Sequence, residues 1–345
     1  MGCAAALLMC GCGGAVESPG SPPAIEPSAC VGAIKSVPVV LRSDLPGGRL
    51  LVGDDYLILL GTDGIVAHID RCSGKRRDLA SGITAISSTL AADYVWFVRS
   101  GGGEPSGLSR VHLSGGAVEQ VVARPGIWAI RAHDATVYFM SLAAPRDANP
   151  SDWFVHALTV GQADPILLAT LQTSSGQHLV FQGVSEAGLY FSLDYDCACT
   201  PPVRLLQNGA SELVTLQGAE GRGPGAYSVA VAGPHLYVRA WGGEIARLPL
   251  QGGPRHIIVA ADSAGAGLVR FAANDRAVCW LGYGSGSGLE VAARCVLVSE
   301  PDRAVRELDR FEGGVGTSFA LARDAAYWLR PIASSSLYEL VAVAL

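Results

Sequence analysis

Apolar strands recur along this chain at a spacing of roughly 40 to 50 residues. Each follows a polar turn and has an aromatic or bulky residue at its centre, as in ADYVWFVRS at 92–100 and DATVYFMS at 134–141. The seven central positions are Ile58, Trp96, Tyr138, Tyr190, Tyr237, Cys279 and Tyr327. Further short apolar segments flank each strand and are separated by Gly, Pro, Asn or Asp, which is typical of hairpin-connected strands. Because no segment keeps an apolar period of about 3.6 residues, we expect almost no helix.

Four antiparallel strands in a repeat of this length are typical of a propeller blade. The sequence therefore predicts an all-β fold, a seven-bladed β-propeller of four-stranded antiparallel blades. The last repeat has only three strands, and the unassigned segment VPVVLRS at 37–43 is predicted to complete it and close the ring. Closure in this way removes two exposed sheet edges. A ring of six or of eight blades is the alternative, because the loop GYGSGSG at 282–288 obscures the strand boundaries of the sixth repeat.

The N-terminal segment predicts where in the cell the protein is located. Residues 1–12 contain a short apolar run that ends in cysteines among small residues, and so resemble the signal of a bacterial lipoprotein. Cys12 follows a glycine, whereas Cys10 has a leucine three positions before it. We expect lipidation at Cys12, which leaves six later cysteines to pair, or at Cys10. A plain secretory signal is the alternative.

The remaining chain divides into a linker and one domain. Residues 13–34 combine Pro, Gly, Ser and Glu, a composition that favours a flexible tether. Residues 35–345 are predicted to form a single propeller domain. No later stretch has the roughly 18 uninterrupted apolar residues of a membrane-spanning helix, so we expect a lipid anchor to the membrane and no membrane-embedded segment.

Composition and charge exclude some partners. Hydrophobic residues make up 49% of the chain and charged residues 16%, so the chain can bury a core. The formal net charge is −6, and the only basic cluster is the run from Lys75 to Arg77. Because the net field repels a phosphate backbone, no nucleic-acid partner is expected.

Several segments resemble known repeats. ATVYFMS, LSRVHLSGG and IARLPLQGG are similar to the repeats of YWTD-type and TolB-like extracytoplasmic propellers. The chain departs from the YWTD pattern in lacking the tetrapeptide itself and in having seven repeats where six are usual. The resemblance implies a propeller in the cell envelope, at the periplasmic or outer-membrane surface. It carries over no catalytic residue, because the repeat occurs in proteins of many functions.

Cysteine spacing predicts disulfides, which form in an oxidising compartment. The six candidates are Cys30, Cys72, Cys197, Cys199, Cys279 and Cys295. We expect Cys197 to pair with Cys199 and Cys279 with Cys295, which leaves Cys30 for Cys72. A metal held by the segment DYDCACTPP at 194–202 is the alternative for the first pair, although no second ligand group follows at a zinc-like spacing.

Loop lengths predict a functional face. The loops between second and third strands, and those between blades, are the long ones, and both kinds lie on the same face of a propeller. Binding residues commonly lie on loops that a rigid scaffold presents. The candidate ligand-face residues are Arg99, Trp128, Arg146, Asp194, Tyr195, Arg222, Trp241 and Tyr283.

The pattern predicts a binding protein more than an enzyme. No phosphate loop, HExxH zinc motif or GxSxG elbow occurs in the sequence, and no cofactor is expected. We therefore expect a lipid-anchored binding or scaffold module for a protein, peptide or glycan. A hydrolase or lyase with a site at the long-loop end of the channel is the alternative, and the oligomeric state is not predicted.

Overall fold

The computed structural model describes residues 34–101, 104–142, 151–173, 177–195, 203–219, 228–239, 243–260, 268–283, 290–299, 304–313 and 318–345. These residues form 28 strands and no helix, arranged as seven four-stranded antiparallel sheets. The predicted all-β, seven-bladed propeller is thus confirmed. The predicted signal and tether, residues 1–12 and 13–34, lie outside the described residues except for Ile34. None of the described segments is a helix that could cross a membrane.

Six blades use their strands in chain order from the axis of the ring outward, and blade 7 does so for its first three strands. The first strands are β2 (Gly48–Val52), β6 (Ala85–Ala91), β10 (Ile127–His133), β14 (Gln177–Ser185), β18 (Ser228–Ala232), β22 (Leu268–Ala273) and β26 (Phe319–Leu321). The second strands are β3 (Tyr56–Gly61), β7 (Tyr94–Gly101), β11 (Thr136–Leu142), β15 (Gly188–Tyr195), β19 (His235–Arg239), β23 (Ala277–Tyr283) and β27 (Ala325–Pro331).

The outer half of each blade consists of its third and fourth strands. The third strands are β4 (Val66–Asp70), β8 (Glu104–His112), β12 (Ser151–Thr159), β16 (Val203–Gln207), β20 (Ile245–Pro249), β24 (Glu290–Leu297) and β28 (Leu337–Ala344). The fourth strands are β5 (Arg76–Ala80), β9 (Glu119–Val122), β13 (Ile166–Thr173), β17 (Val214–Thr215), β21 (His256–Val259), β25 (Arg306–Glu312) and, for blade 7, β1 (Val39–Pro46).

The first strands lie beside one another around the central axis from β6 to β26, and β26 reaches β2 of blade 1. Blade 7 is completed by β1, which pairs antiparallel with β28 from Val39, opposite Ala342, to Pro46, opposite Leu337. The predicted closing strand is therefore present, but it is shifted from 37–43 to Val39–Pro46. It continues past the polar residues at 43 and 44 because Leu45 is fully buried in the core between blades 7 and 1.

Seven apolar clusters hold the ring together, one at each seam between neighbouring blades. The central residue of each repeat packs into the cluster shared with the following blade. Trp96, Tyr190 and Tyr327 are completely buried there, and burying a large side chain stabilises a fold by roughly 1.5–3 kcal/mol. The repeated central position is therefore part of the core between blades.

Polar contacts reinforce the seam where the ring closes. The Arg71 side chain, from the turn after β4, donates from Nε to the Tyr327 hydroxyl at 3.0 Å and also reaches the Asp324 carboxylate of blade 7. Closer to the axis, the Leu50 amide of blade 1 donates to the Ser318 hydroxyl of blade 7 at 2.7 Å. Both ends of this seam are thus joined by buried hydrogen bonds.

Candidate functional site

The described ligand-face candidates lie at one end of the ring. Arg99 is exposed near the end of β7, opposite Ala85 of β6. Trp128 is half-buried on β10 and packs against the seam between blades 3 and 4. Tyr283 ends β23 and is half-buried against the seam between blades 6 and 7. The structure therefore places these three residues on the long-loop face.

For two further candidates the structure gives the strand position, and the remaining candidates fall outside the described residues. Positions Asp194 and Tyr195 end β15, opposite His178 and Gln177 of β14, which is the same face. The ligand-face and lipidation candidates that fall outside the described residues are Arg146, Arg222, Trp241, Cys10 and Cys12.

The cysteines are placed as follows. Cys279 and Cys295 lie directly opposite each other on β23 and β24 and form a disulfide. Cys72 is also disulfide-bonded, to a partner outside the described residues. Cys30, Cys197 and Cys199 lie outside them as well, and the metal alternative rests on that last pair. Within the described ranges, no three His, Cys, Asp or Glu side chains cluster as a metal site would require.

The first strands line the central channel that a propeller encloses, and their charges have one sign. Three of the seven first strands carry an arginine: Arg49 on β2, Arg131 on β10 and Arg270 on β22. None of the seven contains Asp or Glu. The chain as a whole has a net charge of −6, so its carboxylates lie elsewhere. Within their described bounds, the seven first strands therefore contain arginines and no acidic residue, although the whole chain has a net negative charge.

Arg131 is the most constrained of these arginines. Its Nε donates to the Gln182 carbonyl oxygen at 3.2 Å, and its Nη1 donates to the Ile130 carbonyl oxygen at 2.8 Å. The guanidinium carbon lies 5.8 Å from the centre of the Phe181 ring, within the range of a cation–π contact. Two carbonyls and an aromatic ring thus fix the plane of the guanidinium.

A β-bulge supplies the acceptor for Arg131. The pairing of β14 with β15 shifts between Phe181 and Gly183, so Gln182 is an extra residue on the inner strand. A bulged residue is left out of the ladder and can point its polar groups elsewhere. The Gln182 carbonyl points to Arg131, and its side-chain Nε2 donates to the Ser192 hydroxyl at 2.7 Å.

Among the residues that the structure describes, no carboxylate compensates the charge of Arg131. Burial, with a smaller contribution from the positive charge of Arg49, lowers the pKa of the Arg131 guanidinium to about 10. Neither its hydrogen bonds nor its electrostatic neighbours include an acidic group. Its Nη2 makes no hydrogen bond to protein and is not enclosed by it. One edge of a rigid cation is therefore open within the ring.

A cleft adjoins the channel at the seam between blades 1 and 2. It has a volume of about 400 Å³ and is lined by Arg49, Thr62 and Ser88, among others. Ser88 is 3% exposed, and its hydroxyl has no hydrogen-bond partner. The cleft thus combines a guanidinium with an unsatisfied buried hydroxyl.

The sequence analysis did not single out Arg49 and Arg131, which lie on the first strands β2 and β10. An arginine within an apolar first strand is the signal that was present. Such an arginine indicates a binding site only when two facts are combined: first strands face the axis, and none of the seven carries an acidic residue.

Comparisons with known proteins identify the fold alone. No protein-family model and no curated protein matches the sequence. An oligogalacturonate lyase from Vibrio parahaemolyticus superimposes with a TM-score of 0.64 at 8% identity, over 89% of this chain and 93% of that one. The propeller domain of the trilobed protease from Pyrococcus furiosus gives 0.58 at 8% identity, over 87% and 95%.

A further similar structure is longer than this chain. A prolyl endopeptidase superimposes with a TM-score of 0.58 at 12% identity over 84% of this chain, which spans only 47% of that protein. Fold and comparisons together define a seven-bladed β-propeller protein.

Proposed function

We propose that this chain is a lipid-anchored binding or scaffold module of the bacterial cell envelope, which takes a protein, peptide or glycan at its long-loop face. The observation that carries the proposal is the cationic channel, because a guanidinium fixed by backbone carbonyls and open on one edge is arranged for recognition of a ligand. The buried Cys279–Cys295 disulfide supports an oxidising compartment.

The anchor is proposed at Cys12, with Cys10 as the alternative. Palmitate labelling in a bacterial host is expected to disappear in Cys12→Ala. Labelling that persists in Cys12→Ala and disappears in Cys10→Ala moves the anchor to Cys10, and labelling in neither wild type nor variants contradicts the anchor.

The binding face can be tested by reversing one charge on each side of the ring. Arg99 is exposed on the long-loop face, and Arg276 is exposed in the turn between β22 and β23 on the opposite face. Envelope proteins, peptides and glycans, separated into fractions, are titrated onto the immobilised protein. We expect Arg99→Glu to weaken saturable binding and Arg276→Glu to leave it unchanged; the reverse pattern would place the site on the short-turn face.

A hydrolase or lyase is the second candidate. It is favoured by the fixed, partly open guanidinium of Arg131, because a positioned cation can stabilise negative charge that develops in a transition state. The similarity to a lyase and to peptidases carries no weight here, since it concerns the fold alone. Cleavage of a bound peptide or glycan by wild type, abolished in Arg131→Gln, would replace the binding role with this one.

A further inference from the structure

We propose that the channel binds an oxyanion, a carboxylate or a phosphate, against the open edge of Arg131. The inference rests on the proposed binding function and specifies the chemistry of its ligand. It concerns a position on the first strand of blade 3, near the end of β10 that leads into the turn to β11, and not the long loops of the opposite face.

The free edge of the guanidinium matches such a group. Nε of Arg131 is occupied by the Gln182 carbonyl, and one N–H of Nη1 by the Ile130 carbonyl. The second N–H of Nη1 and both N–H groups of Nη2 remain, and they form the two-nitrogen edge that binds a carboxylate or phosphate through two parallel hydrogen bonds. Because the plane is already fixed, little conformational entropy is lost on binding.

The ion pairs elsewhere in the ring show what Arg131 lacks. Buried Arg71 is neutralised by the Asp324 carboxylate, and Arg330 by Asp309 at 3.1 Å and Glu339 at 2.6 Å. A charge removed from water without a counter-charge is costly. Arg131 is partly desolvated and has no acidic neighbour within the described part of the chain, so an anion from outside the chain would supply the missing charge.

The surroundings favour anions over other ligands. The first strands contain no Asp or Glu that would repel an anion. The positive charge of Arg49 is close enough to lower the pKa of Arg131. A positive potential from fixed guanidinium groups raises the local concentration of anions. The same field disfavours a cationic ligand.

The test is a calorimetric titration of the purified full-length protein with inorganic phosphate, citrate and a hexaglutamate peptide, with hexaglutamine as the neutral control. Arg131→Gln removes the proposed contact. Arg204→Gln is the matched control, because Arg204 is half-buried like Arg131 but lies on the third strand β16, away from the axis. Titrations at low and high NaCl measure the electrostatic part of the affinity.

We expect wild type and Arg204→Gln to bind at least one of the three anions, more weakly at high salt, and not hexaglutamine. Arg131→Gln is expected to bind roughly tenfold more weakly or worse, as for the loss of a charged hydrogen bond. Binding of phosphate or citrate alone assigns the site to a small free anion, and binding of hexaglutamate assigns it to an acidic chain segment.

Thermal unfolding separates a binding role from a structural one. In anion-free buffer, Arg131→Gln is expected to melt at or above the temperature of wild type, because the substitution removes an uncompensated cation. The anion that binds is expected to raise the melting temperature of wild type and not that of Arg131→Gln. A large loss of stability in anion-free Arg131→Gln would mark the arginine as structural.

Equal affinity in wild type and Arg131→Gln, or no binding of any of the three anions to wild type, overturns the inference. If the Arg99→Glu and Arg276→Glu variants still differ in ligand capture, the proposed binding function survives that result. If anions bind at Arg131 and neither face captures an envelope ligand, the inference survives and the proposed partner class fails.

Discussion

His156 of blade 3 is a buried histidine held in its neutral form. It is 5% exposed, and its ring stacks on Phe139 with 4.9 Å between the ring centres. Arg124 Nη1 donates to His156 Nε2 at 2.8 Å, so a proton added to Nε2 would break this bond and face a cation. Burial first, and the charge of Arg124 second, lower the pKa of His156 from 6.5 to about 4.

This shift makes the free energy of unfolding depend on pH. Above pH 6.5 the histidine is neutral in both states and contributes nothing; between pH 6.5 and about 4 only the unfolded state takes up the proton, so stability falls as the pH falls. At pH 4.5 the expected loss is about 2–3 kcal/mol. Urea unfolding at pH 7 and 4.5 measures it.

His156→Phe keeps the stacking and removes the titration, so it is expected to lose this part of the pH dependence. His133→Phe is the control, because the His133 side chain is 42% exposed. Equal pH dependence in both variants would contradict the assignment.

Single residues also mark the limit of what the sequence predicts. The repeated aromatic position was readable, because every seam reuses it and seven occurrences stand out. Arg131 was not, because its role depends on a bulge at Gln182 and on the absence of acids from strands far apart in sequence. Neither feature has a local signature.

At the scale of elements, hydroxyl groups join neighbouring first strands. The Ser318 hydroxyl accepts from the Leu50 amide at 2.7 Å, and the Ser87 hydroxyl accepts from the Ile130 amide at 3.2 Å. These bonds run from blade to blade and not within a sheet. They therefore fix the spacing of the strands around the axis.

Ser318→Ala is expected to destabilise the fold by about 1–2 kcal/mol, because it leaves the buried Leu50 amide without an acceptor. Ser335→Ala is the matched control: its hydroxyl accepts from the Leu337 amide at 3.0 Å in an exposed turn, where water replaces it. We expect the control to stay within about 0.5 kcal/mol of wild type. Denaturant unfolding of both variants measures the difference, and equal losses would contradict a special role for the seam.

Strand existence was predictable and strand ends were less so. The alternation of apolar runs with turn residues located all four layers of the blades. The closing strand ended later than predicted because Arg42 pairs with Asp44 at 2.7 Å and Leu45 enters the core between blades 7 and 1. Burial by a distant partner thus overrides the local polarity of residues 43 and 44.

At the scale of the whole molecule, β1 decides whether the ring is closed. Deleting residues 35–46 removes the outer strand of blade 7 and the buried Leu45, so we expect a large loss of stability throughout the ring. Appending the same residues after Leu345 through a short linker should restore it, because β1 would then form a hairpin with β28. Calorimetric melting of both forms tests closure.

The outcome that contradicts closure is a deleted form as stable as the full chain. A permuted form as unstable as the deletion would show that the position of the segment in the chain matters more than its pairing.

The β1–β28 pair also has a consequence for the time at which the protein becomes native. Its two strands lie about 300 residues apart in sequence, and Leu50 and Ser318 at the same seam are 268 residues apart. At the usual pace of translation, β1 waits roughly 15–60 seconds for its partner to be made. During that interval β1 has no strand to pair with, so the ring cannot close before the last strand of the chain is made.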